Sequence, residues 1–111
     1  MDYRPNNWVI IKFKGDDPHY RVLGGWSGGY LDGSSWRMNS GITRVEESDD
    51  NHLKFYGASG SCYEVSKDTY MLKMNNAGVW DQLQEIHGDK VELMDSDTDW
   101  FAMDWIISEN P

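Results

Sequence analysis

Trp8-Val9-Ile10-Ile11-Lys12-Phe13 and His19-Tyr20-Arg21-Val22-Leu23 are the two stretches that decide the fold of this 111-residue chain. Both are rich in β-branched and aromatic residues, which favour β-strands. The segment between them, Gly15-Asp16-Asp17-Pro18, has the composition of a turn. We therefore predict an antiparallel hairpin from these two stretches.

More strands are predicted after this hairpin. Residues 24–33 contain five glycines, which disfavour a helix and indicate bends or bulges. Residues 35–39 and 42–46 are predicted to be extended, and residues 52–56 and 62–65 flank a glycine- and serine-rich turn. Up to residue 65 the chain is therefore predicted to be an antiparallel meander.

One main helix is predicted at about residues 76–87. Val79, Leu83 and Ile86, with Trp80 beside them, form an apolar stripe at helical spacing. Asn76 has a residue type that often caps helix N-termini, and Gly88 has the type that often ends a helix.

The acidic C-terminal part is predicted to add a strand at residues 90–94. Residues 98–107 fit either a helical face or a strand end. The chain contains no internal repeat and no linker-like segment, and its length is typical of one domain. The predicted fold is thus a single α+β domain over residues 1–111, with an antiparallel sheet meander, one main helix and an acidic C-terminal strand or helix.

Composition excludes several classes of protein. Cys62 is the only cysteine, so an intrachain disulfide is impossible, and a cytoplasmic protein is expected. The longest aliphatic run, Val9-Ile10-Ile11, is too short for a membrane span or a signal peptide. A net charge of −9 argues against direct nucleic-acid binding and favours a basic protein partner. The oligomeric state stays open.

The last third of the chain is strongly acidic. From Asp81 to Pro111 there are nine carboxylates and one base, whereas residues 1–80 are close to neutral. One series of acids follows a face of the predicted helix, and a second alternates along the C-terminal segment. Aromatic residues, which often dominate interfaces, lie among them. We predict a surface that binds a basic protein, or that only keeps the chain soluble. Its residues are Asp81, Glu85, Asp89, Asp95, Asp97, Asp99 and Asp104, with Trp100 and Trp105 as aromatic anchors.

A glycine- and tryptophan-rich segment provides an alternative site. Trp26, Tyr30 and Trp36 lie among glycines, serines and an aspartate. Aromatic rings beside polar groups can hold sugars or bases by stacking. The alternative function is therefore a small-ligand or carbohydrate-binding module, although the same rings are also needed for the core.

Enzymatic and metal-binding motifs are weak, and we predict a non-enzymatic protein without a cofactor. Gly25-Trp26-Ser27-Gly28-Gly29 matches G-x-S-x-G, but the glycines disfavour the helix that this motif requires. Cys62 with His52 or His87 lacks a basic cluster that would activate the thiol. Asp95-x-Asp97-x-Asp99 resembles the start of a calcium loop, but Trp100 stands where the loop needs glycine.

Several segments resemble small uncharacterised proteins of tailed bacteriophages. The resemblance rests on residues 20–33, on residues 35–42, and on Met74-Asn75-Asn76-Ala77 leading into Trp80. It covers about half of the chain and implies no specific activity or residue role. It implies a small phage accessory protein that acts in the cytoplasm of a host cell.

Overall fold

The computed structural model describes residues 2–15, 17–27 and 34–105. In these ranges, eight strands form two four-stranded sheets, and one α-helix covers the outer face of one sheet. This arrangement confirms the predicted α+β class. The elements are β1 (Asp2–Tyr3), β2 (Asn7–Phe13), β3 (His19–Ser27), β4 (Ser34–Met38), β5 (Ile42–Asp49), β6 (His52–Gly57), β7 (Cys62–Ser66), α1 (Ala77–His87) and β8 (Val91–Leu93).

Sheet I contains the predicted hairpin and has the strand order β4-β3-β2-β8. β2 and β3 pair antiparallel, with Ile10 opposite Val22. β8 pairs antiparallel with the other edge of β2, where Ile11 lies opposite Leu93. The strand predicted at residues 90–94 is therefore an edge strand of the same sheet as the hairpin.

Sheet II has the order β1-β7-β6-β5, so the predicted meander is divided between two sheets. β5, β6 and β7 are successive antiparallel strands, and β1 pairs parallel with β7, placing Asp2 opposite Cys62. The chain passes from sheet I to sheet II through residues 39–41. Gly41 has a φ of 142° there, in the region that favours glycine.

The inner core lies between the two sheets. Because side chains alternate along a strand, Trp8 and Ile10 of β2 face sheet II, where they join Phe55 of β6. Trp100 and Trp105, from beyond β8, belong to the same buried cluster. Ring centroids 5.4 Å apart for Trp8 and Phe55, and 5.9 Å for Trp8 and Trp100, show how closely the aromatic residues pack. Aromatic side chains thus make up about half of the buried residues of the inner core.

The outer core lies between sheet I and α1. Val9 and Ile11, which alternate with Trp8 and Ile10, pack with the α1 residues Val79, Trp80 and Leu83. Most of the predicted helical stripe is therefore confirmed. Ile86 is the exception, because its side chain is 74% exposed and lies outside this contact.

The C-terminal end of α1 agrees with the prediction, whereas the N-terminal end differs in the role of Asn76. Gly88 ends the helix with a φ of 59°, which favours glycine. Asn76 occupies the N-cap position without capping the helix through its side chain. Its side-chain oxygen instead accepts a hydrogen bond from the backbone N–H of Lys73 at 2.8 Å, which shapes the turn before the helix.

The chain after β8 is mostly irregular, which differs from the predicted strand or helix. A short 3-10 turn at Trp100–Ala102 is its one regular element among the described residues, and Asp99 accepts a hydrogen bond from the Phe101 N–H at its start. Residues 106 and 107 of the predicted element lie outside the described residues. Tyr70 ties this segment to sheet I, since its hydroxyl donates to the Met94 carbonyl and accepts from the Ile10 N–H.

Within the described ranges, no helix is long and apolar enough to cross a membrane.

Candidate functional site

All seven carboxylates of the predicted acidic surface are exposed. They are Asp81, Glu85, Asp89, Asp95, Asp97, Asp99 and Asp104. In the part of the chain that the structure describes, none of them forms an ion pair. The five ion pairs found there all use other carboxylates, those of Glu46, Glu47, Asp49, Glu64 and Glu92. The charges of the predicted surface are therefore not neutralised by neighbouring side chains.

The two acidic series lie on elements that pack against opposite faces of sheet I. α1 covers the outer face, whereas the segment with Asp95, Asp97 and Asp99 is fixed by Trp100 to the inner core. Asp89 lies beyond α1, in the 3-10 turn Gly88–Lys90, because Gly88 ends the helix. The two series therefore do not lie on one face of sheet I. We name residues 95–104 the acidic segment.

Trp100 and Trp105 do not serve as the exposed aromatic anchors that the sequence predicted. Each is only 7% exposed, and each packs in the inner core. Their rings lie 6.0 Å and 5.8 Å from that of Phe55, measured between centroids. Phe101, between them in the chain, is 56% exposed and is the aromatic side chain that the acidic segment presents to solvent.

A cleft of about 240 Å³ lies beside the acidic segment. Its apolar lining comes from Trp8, Leu53, Tyr70, Trp100 and Phe101, and its polar lining from Lys67, Ser96, Thr98 and Asp99. The carboxylate and the exposed ring thus adjoin an apolar depression.

The predicted aromatic platform is only partly assembled. Trp36 on β4 is 50% exposed, whereas Trp26 on β3 is partly buried with its ring 6.4 Å from that of Tyr3. Trp36 on β4 lies directly opposite Gly25 on β3, so its side chain points to the same face of sheet I as position 25. Because side chains alternate along a strand, the next residue of β3, Trp26, points to the opposite face. Both nevertheless line an open groove of about 450 Å³ at the sheet edge. Tyr30 lies outside the described residues.

A second cleft, of about 220 Å³, lies where the chain crosses between the sheets. Arg37 and Asn39, at the end of β4, form one wall, and Ser59 and Ser61, in the β6–β7 turn, form the other. The Arg37 guanidinium lies 4.6 Å above the centre of the Tyr3 ring. Sequence reasoning missed this cleft, because no local pattern connects residue 37 with residue 61. We name it the crossing cleft.

The structure gives no support to the weak catalytic motifs. Cys62 is buried, and burial raises the pKa of its thiol, which makes the reactive thiolate scarcer. His52 contacts Asp49 and His87 contacts Phe13, and within the described chain neither histidine hydrogen-bonds Cys62. Ser27 ends β3, and the glycines that follow it lie outside the described residues. No group of three potential metal ligands comes together among the described residues.

Comparisons with protein-family models, with curated proteins and with solved structures found no match.

Proposed function

We propose that this is a non-enzymatic interaction protein whose acidic segment binds a basic protein. The observation that carries the proposal is that its carboxylates are exposed and form no ion pair with a described residue. If the chain is a phage accessory protein, as its resemblance implies, the partner is a host protein in the cytoplasm.

The anchoring of the acidic segment supports this proposal. Trp100 within it and Trp105 directly after it are buried, and the Tyr70 hydroxyl donates to the carbonyl of Met94, the residue directly before it. A segment held in one conformation loses little further conformational entropy on binding, which favours affinity. The two tryptophans thus contribute by positioning the carboxylates, and Trp100 also lines the adjoining cleft.

Phe101 and the adjoining cleft supply the apolar part of the proposed interface. Exposed aromatic side chains among charged residues are the kind of residue on which binding energy often concentrates. Phe101 lines the cleft together with Asp99. We expect Phe101→Ala to weaken binding by about 1–2 kcal/mol with little change in stability, because the ring is largely exposed.

The test compares two triple variants in a pull-down from bacterial lysate. One variant carries Asp95→Asn, Asp97→Asn and Asp99→Asn. The matched control carries Asp81→Asn, Glu85→Gln and Asp89→Asn, which changes the net charge equally on the α1 side. Basic proteins retained by the wild-type chain should be lost with the first variant and kept with the control. Retention should also fall as salt rises, because the association is electrostatic.

Equal retention by the wild-type chain and both variants would contradict the proposal. Equal loss from both variants would show that total charge, and not the acidic segment, attracts the retained proteins.

A second candidate function is small-ligand or carbohydrate binding at the groove that contains Trp36. The half-exposed Trp36 ring and the neighbouring Arg37 favour it. Tryptophan fluorescence measured across a panel of glycans and nucleotides tests this function, with Trp36→Phe as the comparison. A response that the variant retains would place the ligand elsewhere.

A further inference from the structure

In the part of the chain that the structure describes, the two sheets end in four edge strands, β4 and β8 in sheet I and β1 and β5 in sheet II. The outer side of an edge strand carries unpaired backbone N–H and C=O groups that can pair with another chain, and proteins protect such edges by keeping them short, charged or irregular. β1 has two residues and β8 has three. β5 is irregular at two places in its pairing with β6, and it carries charged side chains at Arg44, Glu46, Glu47 and Asp49. Three of these four edges are therefore protected.

β4 lacks these kinds of protection. With five residues, Ser34–Met38, it has the usual length of a strand, and it includes no acid, lysine or proline. Its pairing with β3 runs without a break in register. Arg37 is its one charged residue, and the guanidinium is stacked 4.6 Å above the centre of the Tyr3 ring in sheet II. This side chain is therefore directed toward sheet II and not across the open edge of β4.

The backbone groups of Trp36 and Met38 point away from sheet I. The Asn39 N–H donates to the Val22 carbonyl of β3 at 3.1 Å. Because the bonding side alternates along an antiparallel strand, Arg37, two residues earlier, also turns its backbone groups toward β3. Trp36 and Met38 turn theirs outward, where no described strand pairs with them. Each of these two residues therefore offers an N–H and a C=O group to an added strand.

The side chain of Trp36 gives this edge an apolar surface. Trp36 lies opposite Gly25, and a Cβ atom at Gly25 would meet the side chain of Asn75 in the turn before α1. The indole ring therefore points to the outer face of sheet I, and Trp36 is 50% exposed there. A strand added to β4 would cover part of this ring as well as the backbone groups. Burial of an aromatic side chain is among the larger contributions to the stability of an interface.

We propose that β4 pairs with β4 of a second copy of this chain, antiparallel about a two-fold axis at Trp36. In this register Trp36 lies opposite Trp36 of the second copy, and Ser35 lies opposite Arg37. The two indole rings then form an aromatic cross-strand pair, and no two like charges face each other. A symmetric pair also covers the open edge of both copies at once and leaves none for a third chain. Sheet I of the two copies becomes one continuous sheet.

The distribution of charge favours this edge for a second copy, although each chain carries a net charge of −9. The open edge lies on the side of β4 and β1, where Arg37 contacts Tyr3. The acidic segment lies on the opposite side, since it begins directly after β8 and its 3-10 turn Trp100–Ala102 contacts β5. Across the sheet, β8 is separated from β4 by β3 and β2, a distance of roughly 14 Å. The acidic segments of the two copies are therefore kept apart, and both stay free to bind a basic protein.

The wild-type chain tests the proposal by sedimentation and by amide hydrogen exchange over a series of protein concentrations. The protein should convert from monomer to dimer as its concentration rises. The N–H groups of Trp36 and Met38 should exchange more slowly in the dimer, because they are hydrogen-bonded only there. The Arg37 N–H should exchange alike in both states, since it is already bonded to β3. A monomer at every concentration overturns the proposal, and so does a dimer in which the Trp36 and Met38 amides gain no protection.

Two variants with the same change of charge test the position of the contact. Trp36→Lys places two positive charges opposite each other at the two-fold axis, and it should weaken dimerisation by roughly tenfold or more. Met74→Lys is the matched control, because Met74 is 96% exposed and lies outside β4. This control should dimerise like the wild-type chain. Thermal unfolding checks that both variants fold, and the proposal is overturned if the two variants dimerise equally tightly.

Discussion

Asn7 and Asn75 form a reciprocal pair of buried amides. Each side chain donates to the other, at 3.0 Å and 2.7 Å, and Asn7 also donates to the Met71 carbonyl. The pair joins β2 to the turn before α1, across a long separation in sequence. Because both side chains are buried and satisfied, losing one partner would leave the other unpaired in the core. These two residues therefore fix the position at which the helix approaches sheet I.

Gly25→Ala should break this pair. A Cβ atom at Gly25 would lie 2.1 Å from the side-chain oxygen of Asn75, so the Asn75 side chain or the backbone at residue 25 would have to move. We expect a loss of about 2–4 kcal/mol in the free energy of unfolding, measured by urea denaturation.

Gly78→Ala is the matched control for that substitution. Gly78 lies in α1 with open space around it, so alanine should stabilise the protein by about 0.5–1 kcal/mol. Equal effects of the two substitutions would show that the Asn7–Asn75 contact does not control the packing of this region.

At the scale of elements, α1 contacts the protein through one narrow stripe. Leu83 packs against the outer core, whereas Ile86 is exposed one turn further along. Leu83→Ala should therefore lower the free energy of unfolding by about 1–3 kcal/mol, and Ile86→Ala should change it by less than about 0.5 kcal/mol. Thermal unfolding followed by circular dichroism measures both. A larger effect at Ile86 would mean that an additional surface covers this side of α1.

The elements that could be predicted from the sequence are those whose signals are local. The β2–β3 hairpin combines β-branched residues with a proline-containing turn, and α1 combines an apolar stripe with a terminal glycine. The two-sheet arrangement depends instead on contacts between distant residues, such as Asp2 with Cys62. The burial of Trp100 was missed for the same reason, since its acidic neighbours suggest an exposed surface. The crossing cleft likewise exists only once both sheets are in place.

At the scale of the whole molecule, stability should fall in alkaline solution. Burial raises the pKa of Tyr63 and of Tyr70 from the ordinary 10.0 to about 12. Since the folded state holds these protons more tightly, their contribution is complete below pH 10 and is lost as pH rises toward 12. Over that window each tyrosine should lower the free energy of unfolding by at most about 1.4 kcal/mol per pH unit.

Urea denaturation at a series of pH values measures this dependence. Tyr63→Phe and Tyr70→Phe should each make the decline with pH less steep, whatever they do to stability at neutral pH. A decline that is equally steep in both variants would assign the alkaline loss to other groups.

The pairing of β2 with β8 has a consequence for how the chain folds. Ile11 lies opposite Leu93, so β2 leaves the ribosome long before the strand that covers its second edge has been synthesised. Such long-range pairings slow folding, because a large loop must close before the contact stabilises anything. Until then Val9, Ile10 and Ile11 form an uncovered apolar edge, the kind of surface that promotes aggregation in newly made chains. A slow final step that closes sheet I should therefore limit the yield of native protein during rapid expression.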